Sequence, residues 1–265
     1  MKTRVISAIV MLSLVAVALY FGPVGRLLLV TVAASLGIYE MGHACMKMGR
    51  KVPKYLVIGY PVLYAALCWL DAPDWAVASL IIAYVIFILC FCVVRKDKGA
   101  EAAMNGLFAL CYPGALFSCV MRIAYSDNWL FVCAIAAFST WLCDCFAMLG
   151  GMAFGKHKLT PVSPKKTWEG TLFGAAFSLL GGAAVHWIWK DAPSMWICLV
   201  TALIASSLGQ FGDLAASLIK RAAGLKDYSN LIPGHGGVMD RADSLLFSIP
   251  TAWLILKLFA ELGLK

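Results

Sequence analysis

Apolar residues arrive in long, nearly unbroken blocks, separated by short clusters of charge, glycine and proline. Nine blocks can be read, at about 4–21, 27–46, 55–70, 75–94, 102–121, 129–149, 170–189, 195–219 and 243–263. A hydrocarbon core of roughly 30 Å takes about 20 helical residues to cross. Backbone groups in lipid have no water to bond with, so blocks of this kind predict helices. The pattern predicts an all-α, polytopic integral membrane protein of about nine transmembrane helices and leaves no room for a soluble domain. Pro61 in the third block and Pro113 in the fifth mark the spans expected to be kinked or tilted.

Composition agrees: 62% of residues are apolar and 14% charged, where soluble domains carry roughly 25% charged. Lys2 and Arg4 before the first block resemble the start of a signal peptide, but no small-residue cleavage pattern follows. Gly22-Pro23-Val24-Gly25 turns directly into more apolar sequence, so a retained signal-anchor helix is expected. The ten cysteines all lie in apolar blocks without a C-x-x-C pair and read as structural thiols.

The net charge of +8 is unevenly placed. With nine spans, one face receives Lys2, Arg4, Lys47, Arg50, Lys51, Lys54, Arg95, Lys96, Lys98 and the basic residues of the segments after the sixth and eighth blocks. The other face receives Arg26, Arg122, Lys190 and Lys265, and Lys257 falls inside the last block. The positive-inside rule then places the amino terminus in the cytoplasm and the carboxyl terminus outside. The first two basic loops read as topology and headgroup attraction. Basic residues interleaved with aromatics are missing, which argues against a nucleic-acid partner. Two regions are expected: 1–127, of about five membrane helices, and 128–265, a catalytic membrane region with cytoplasmic loops 150–170 and 220–242.

Ionisable groups inside apolar spans cost at least about 2.5–3.5 kcal/mol near the bilayer centre, so their positions carry information. Asp144 and Asp213 each fall five or six residues from the cytoplasmic end of their spans, roughly 8–9 Å deep at 1.5 Å per residue. Glu40, His43 and Asn105 approach the same face. Together they predict the floor of a cavity open to the cytoplasm. A transporter more often places such groups at the midplane, at broken helices.

Two loops hang over that floor. In the first, Gly150 and Gly155-Lys156 have Walker A spacing, but His157 stands where Ser or Thr would bind magnesium, and the run follows a membrane helix rather than a strand. More informative is Ser163-Pro-Lys-Lys-Thr-Trp-Glu169-Gly, with Lys165, Lys166, Ser163 and Thr167 just before a helix begins. A helix amino terminus so equipped suits a phosphate, though a basic interfacial cap reads equally well. In the second loop, Gly234, Gly236 and Gly237 flank His235 and would let backbone N–H groups approach a phosphate. Asp240 and Asp243 are three apart, sharing a face on a helix and able to hold a divalent cation. Lys220, Arg221, Lys226 and Arg241 supply the charge that a triphosphate needs. Carboxylates, cation and basic residues together equip a site for displacement at phosphorus.

The run SLIKRAAGLKDYSNLIPGHGGVMDRAD, from Ser217 to Asp243, resembles the signature of the phosphatidate cytidylyltransferase family, also called CDP-diacylglycerol synthases. Its fixed positions correspond to Ser217, Lys220, Arg221, Lys226, Asp227, Pro233, His235, Gly236, Gly237, Asp240, Arg241 and Asp243. SPKKTWEG and Gly209-Gln-Phe-Gly-Asp213 are also similar to that family, so the likeness covers about 144–243.

The resemblance implies condensation of CTP with phosphatidic acid to CDP-diacylglycerol and pyrophosphate, with Mg2+ and a second, monovalent cation such as K+. It also implies a homodimer in a bacterial-type inner membrane. On this reading Asp213, Asp240 and Asp243 are expected metal ligands, and Asp144 either a further ligand or a helix–helix hydrogen-bond partner. Ser163, Lys165, Lys166, Thr167, Ser217, Lys220, Arg221, Gly236, Gly237 and Arg241 are expected to bind substrate, with Lys226 in the catalytic group. His235 contacts a phosphate, transfers a proton or holds the glycine loop closed, the phosphate contact being favoured. A related cytidylyltransferase for another lipid phosphate and a transporter of an anionic solute are the alternatives.

Overall fold

The computed structural model describes residues 2–95 and 99–264. Lys96, Lys98 and Lys265, part of the charge tally above, lie outside the described residues. The described chain is helical: α1 (Lys2–Tyr20), α2 (Gly22–Lys47), α3 (Lys54–Trp69), α4 (Asp74–Val94), α5 (Gly99–Ala109), a π-helical turn (Leu110–Ala115), α6 (Leu116–Tyr125), α7 (Trp129–Phe154), α8 (Trp168–Ile188), α9 (Met195–Ala222), α10 (Met239–Ala242) and α11 (Leu245–Glu261). Among the described residues seven helices are long and apolar enough to cross a membrane, counting Gly99–Tyr125 as one. The chain is a polytopic membrane protein. The third and ninth apolar blocks are also helical but shorter, 16 and 17 residues.

Helix ends shift some expectations. α7 continues through Phe154, so Gly150 and Gly151 are helical and the first loop starts at Gly155. α9 continues through Ala222, so Lys220 and Arg221 stand on its last turn. Pro113 acts as expected from a residue lacking an N–H: the helix widens to π geometry around it. Pro61 and Pro250 sit inside α3 and α11.

The chain divides into two compact units, Met1–Ser126 with Ile219–Arg241, and Asp127–Leu218 with Ala242–Lys265. The motif segment 219–241 thus belongs with the first half of the chain.

In the first unit α1 and α2 form a hairpin through Gly22, whose φ of 66° suits glycine. Gly25 presses its backbone against the carbonyl of Ala18. α2 buries Leu27, Thr31, Ala34, Ile38, Met41 and Cys45, a stripe at helical spacing. Thr31 Oγ1 donates to the Leu27 carbonyl at 2.7 Å, and Ser118 Oγ donates to Tyr60 Oη at 3.0 Å, so these buried hydroxyls are satisfied. Asn105 Nδ2 donates to the Lys51 carbonyl at 2.9 Å. That bond ties α5 to the α2–α3 loop, a structural use of a residue expected near the cavity floor.

In the second unit α7 and α8 pack through a row of small residues. A Cβ on Gly170, Gly174 or Gly181 would strike the α7 backbone at Ala147, Cys143 or Ser139. Positions three and four apart share a helix face, so this row lets the two backbones approach closely, as membrane helices do where lipid supplies no hydrophobic drive. Among the described residues the ten cysteines form no disulfide.

Gly174→Leu would place its side chain against Ala147 Cβ and the Cys143 carbonyl. It should cost at least about 1–3 kcal/mol of stability, read as a lower melting temperature in detergent. Ala184→Leu, on the exposed side of α8, should stay within about 0.5 kcal/mol of the parent.

Candidate functional site

The motif segment begins where α9 stops. Gly224 takes φ 67°, and the Leu225 N–H returns to the Lys220 carbonyl at 2.8 Å, closing the helix in a Schellman-type cap. From there to α10 the loop is held by two carboxylates. Asp240 Oδ1 accepts from Lys220 Nζ at 2.6 Å, while Oδ2 accepts from the Tyr228 and Gly237 N–H groups at 2.8 and 2.9 Å. The side chains of this pair are 10% and 3% exposed. Glu40, from the middle of the apolar helix α2, accepts from Ser229 Oγ at 2.6 Å and from the Val238 and Met239 N–H groups at 3.0 and 2.8 Å. Both acids work as caps for the loop and the first turn of α10, where N–H groups have no helical acceptor.

This arrangement explains the glycines. A Cβ on Gly236, which has φ 86°, would sit 2.8 Å from Asp240 Oδ2, and one on Gly237 would strike the Glu40 carboxylate. Their lack of a side chain admits these carboxylates, and the Gly237 N–H is already bonded to one. The expected open cradle for a phosphate at Gly236-Gly237 is therefore filled from within. His235 stands on the turn closed by the Ile232–Gly236 bridge, with its own N–H on the Ile232 carbonyl at 2.9 Å. Its Nδ1 is buried and has no hydrogen-bond partner among the described residues, an exception to the usual pairing of buried polar atoms. Lys226 and Asp227 are exposed and line a polar cavity of about 480 Å3 with Tyr39, His43, Ser229 and Asn230. Arg221 Nη1 reaches the Leu225 carbonyl at 3.2 Å, and Arg241 is exposed.

The second unit carries its own polar cluster. Lys166 Nζ lies 2.6 Å from Asp213 Oδ2, both side chains about a quarter to a third exposed at 25% and 31%. The contact lacks the angular geometry of a hydrogen bond, so the ammonium sits beside the carboxylate as a point charge. Asp144, exposed on α7, lies within electrostatic range of both. The 155–167 loop positions Lys166: Leu159 N–H donates to the Lys166 carbonyl at 2.9 Å and Lys166 N–H to the Ser163 carbonyl at 3.0 Å. Thr167 is buried, and its Oγ1 caps α8 by accepting from the Gly170 N–H at 3.1 Å. Glu169 accepts from the Lys156 and His157 N–H groups at 3.1 and 3.2 Å and pairs with His157 Nδ1 at 2.6 Å. The amides at the Walker-like spacing are thus bound to a carboxylate. Lys165 is exposed, and Ser163 and Ser217 are half-buried.

Asp240 and Asp243 were expected on one helical face. α10 ends at Ala242, and Asp243 lies beyond it, its Oδ1 accepting from the Ser244 N–H at 2.8 Å. Among the described residues no group of three or more His, Cys, Asp or Glu is gathered as a metal site, so the four aspartates do not form a single ligand set. The donors still fit Mg2+. It is a hard ion held by one or two carboxylates, with waters and substrate phosphates completing the shell. In the second unit the Lys166 ammonium already occupies a cation position beside Asp213. Glu40 was expected on the cavity floor and Arg4 only in the charge tally, and Tyr39 had no assigned part from sequence. The signal for Glu40 was present, since an acid inside an apolar span must be met by donors.

The Cytidylyltransferase family matches residues 2–259, and the chain belongs to that family. Similar proteins include a phosphatidate cytidylyltransferase of Staphylococcus haemolyticus, 31% identical over 97% of this chain and 99% of its own length. Proteins of the same name from Brucella abortus biovar 1 and Staphylococcus aureus strain COL are 31% and 32% identical, covering 98% and 97% of this chain and 95% and 99% of their own lengths.

Glu40→Ala would leave three donors without their acceptor. Amide exchange at Val238 and Met239 should accelerate, and stability should fall by about 1–3 kcal/mol for each buried donor left unmet. Glu40→Gln, which keeps one acceptor oxygen, should show the smaller change in both readouts.

Proposed function

We propose that the chain condenses CTP with phosphatidic acid to give CDP-diacylglycerol and pyrophosphate, a nucleotidyl transfer in phospholipid biosynthesis. The observation that carries this reading is the relationship over nearly the whole chain to phosphatidate cytidylyltransferases, joined to a motif whose polar residues cluster at the end of membrane helices. An apolar chain with basic loops suits a lipid substrate at an interface and a soluble polyanion arriving from water.

In the reaction an oxygen of the lipid phosphate attacks the α-phosphorus of CTP, the new P–O bond forms, and the bond to the β-phosphate oxygen breaks as pyrophosphate leaves. The lipid phosphate is anionic at neutral pH, so a protein nucleophile is unnecessary. The barrier lies in bringing anions together, and positioning and charge neutralisation lower it. Asp213 in the second unit and Asp240 in the first are each assigned as a carboxylate for Mg2+, and Asp144 and Asp243 are further candidates rather than members of one shared set. When bound, the ion supplies Lewis-acid neutralisation of phosphate charge.

The chain's own residues do the rest. Lys220 holds Asp240 in place rather than meeting substrate directly. Lys226 lines a polar cavity within the roughly 300–1,000 Å3 range of ligand sites. Exposed Lys165, Arg221 and Arg241 attract the triphosphate and the lipid phosphate, and Lys166 passes from Asp213 to a phosphate oxygen when substrate arrives. Ser163 and Ser217 offer hydroxyl donors. Thr167 and the two glycines act through the shape of their loops. The buried, unpaired Nδ1 of His235 supports a phosphate contact over a general base.

The amino terminus and both polar loops are assigned to the cytoplasmic side of a bacterial-type inner membrane, on the charge asymmetry. A monovalent cation and a homodimer complete the proposal by family resemblance.

Asp213→Asn should abolish pyrophosphate release, at least about a hundredfold, while the protein stays folded in detergent, and Asp240→Asn, which neutralises the buried partner of Lys220, should lose activity together with stability. Full activity in both would overturn the ligand assignment. Chelation of divalent cations should stop the reaction, and re-addition of Mg2+ should restore it. A nucleotide-by-lipid matrix on purified protein, read as pyrophosphate, should peak at CTP with phosphatidate. A peak at another lipid phosphate would redirect the substrate assignment.

A further inference from the structure

α1 buries one residue towards each of its ends. On one face of the helix, at the i, i+4, i+7 and i+11 positions, stand Ser7, Met11, Leu14 and Ala18. The two ends of that row are buried, Ser7 at 8% and Ala18 at 7%, whereas Leu14 between them is 55% exposed. At the turn, Gly25 brings α2 hard against the Ala18 carbonyl. At the other end Ser7 Oγ donates to the Pro233 carbonyl at 2.7 Å, so the motif loop is wedged against α1. Eleven residues at 1.5 Å each separate these points by about 16 Å. Over that length the hairpin stays open, leaving an apolar cavity of about 570 Å3 between α1 and α2, floored at one end by Ile232, Pro233 and Val238.

A membrane protein has many apolar grooves, and most hold ordinary bilayer lipid. This one ends on the loop that carries His235, Gly236 and Gly237. Arg4 lies over that end: its Cγ is 2.7 Å, and its Nε 3.7 Å, from where a Cβ on Gly234 would be. A cation thus stands at the loop end, and the Ala18–Gly25 contact closes the far end. That polarity fits an anionic amphiphile, headgroup at the loop and tail along the hairpin.

We propose that the α1–α2 groove is the acyl-chain site for the phosphatidate substrate, with Arg4 beside its phosphate. The inference rests on the function proposed above. The closed end makes the groove a ruler, so the chain prefers acyl tails that fill it.

Ala33 lines the groove from α2, and Ala33→Trp would block it. The expected result is a KM for dioleoyl phosphatidate raised roughly tenfold, the loss of about two buried methylenes. The KM for CTP and for dihexanoyl phosphatidate should stay as in the parent. Leu28→Trp, on the exposed side of α2, should change none of them, and Leu14→Trp on the opposite wall serves if Ala33→Trp fails to fold. Equal shifts for long and short lipids, or no shift, overturn the groove assignment. A parent protein without CTP-dependent turnover on any phosphatidate overturns the functional reading instead. Binding is then read without turnover, from the parent protein and a phosphatidate bearing a diazirine in its acyl chain. Labelling of α1 and α2 that unlabelled phosphatidate displaces better than phosphatidylcholine supports the site. Equal displacement by both lipids marks bilayer lipid only and overturns it.

Discussion

A buried carboxylate has to be met by donors, and in the first unit that requirement organises the motif loop. Asp240 takes three, from Lys220, Tyr228 and Gly237, and Glu40 takes three more, from Ser229, Val238 and Met239. Removing one member of such a set leaves a charge or a donor stranded in a medium that screens poorly, a loss of several kcal/mol for a buried ion pair. The segment lacks regular structure between α9 and α10, yet it is anchored at six points. Its shape comes from side-chain acids rather than from a backbone ladder.

The same economy governs the second unit. Glu169 binds the amides of Lys156 and His157, Thr167 caps α8, and the α7–α8 glycine row holds the helices close enough for a short loop to place Lys166 beside Asp213. Backbone amides that look free for phosphate in a linear reading are largely occupied. The exposed basic residues are Lys165 in this unit and Arg221, Lys226 and Arg241 in the first. Such groups steer anions strongly and at little cost, since they never left water.

Family membership over residues 2–259 means that the amino-terminal helices are part of the same inherited plan as the motif. The contacts of Glu40, Ser7 and Arg4 with the motif loop give that continuity a physical content. Helices α1 and α2 contribute directly to the loop's conformation, so they are more than membrane anchors.

Much was legible in the chain itself. The helical architecture followed from block length, because the backbone in lipid allows little else, and Pro113 marked an irregular span, which the structure shows as a π-helical turn. The acids inside apolar blocks marked where polar chemistry would gather, and the family was visible in the spacing of twelve residues from Ser217 to Asp243. The division of labour among those residues was not. Whether Gly237 faces a phosphate or the Glu40 carboxylate, whether Lys220 meets substrate or Asp240, and whether Thr167 donates outward or caps α8 all depend on partners distant in sequence. Hydropathy records how costly each polar group is to bury. Only the tertiary structure decides which groups offset one another, because a hydrogen bond depends on a few tenths of an ångström between residues as far apart as Glu40 and Met239.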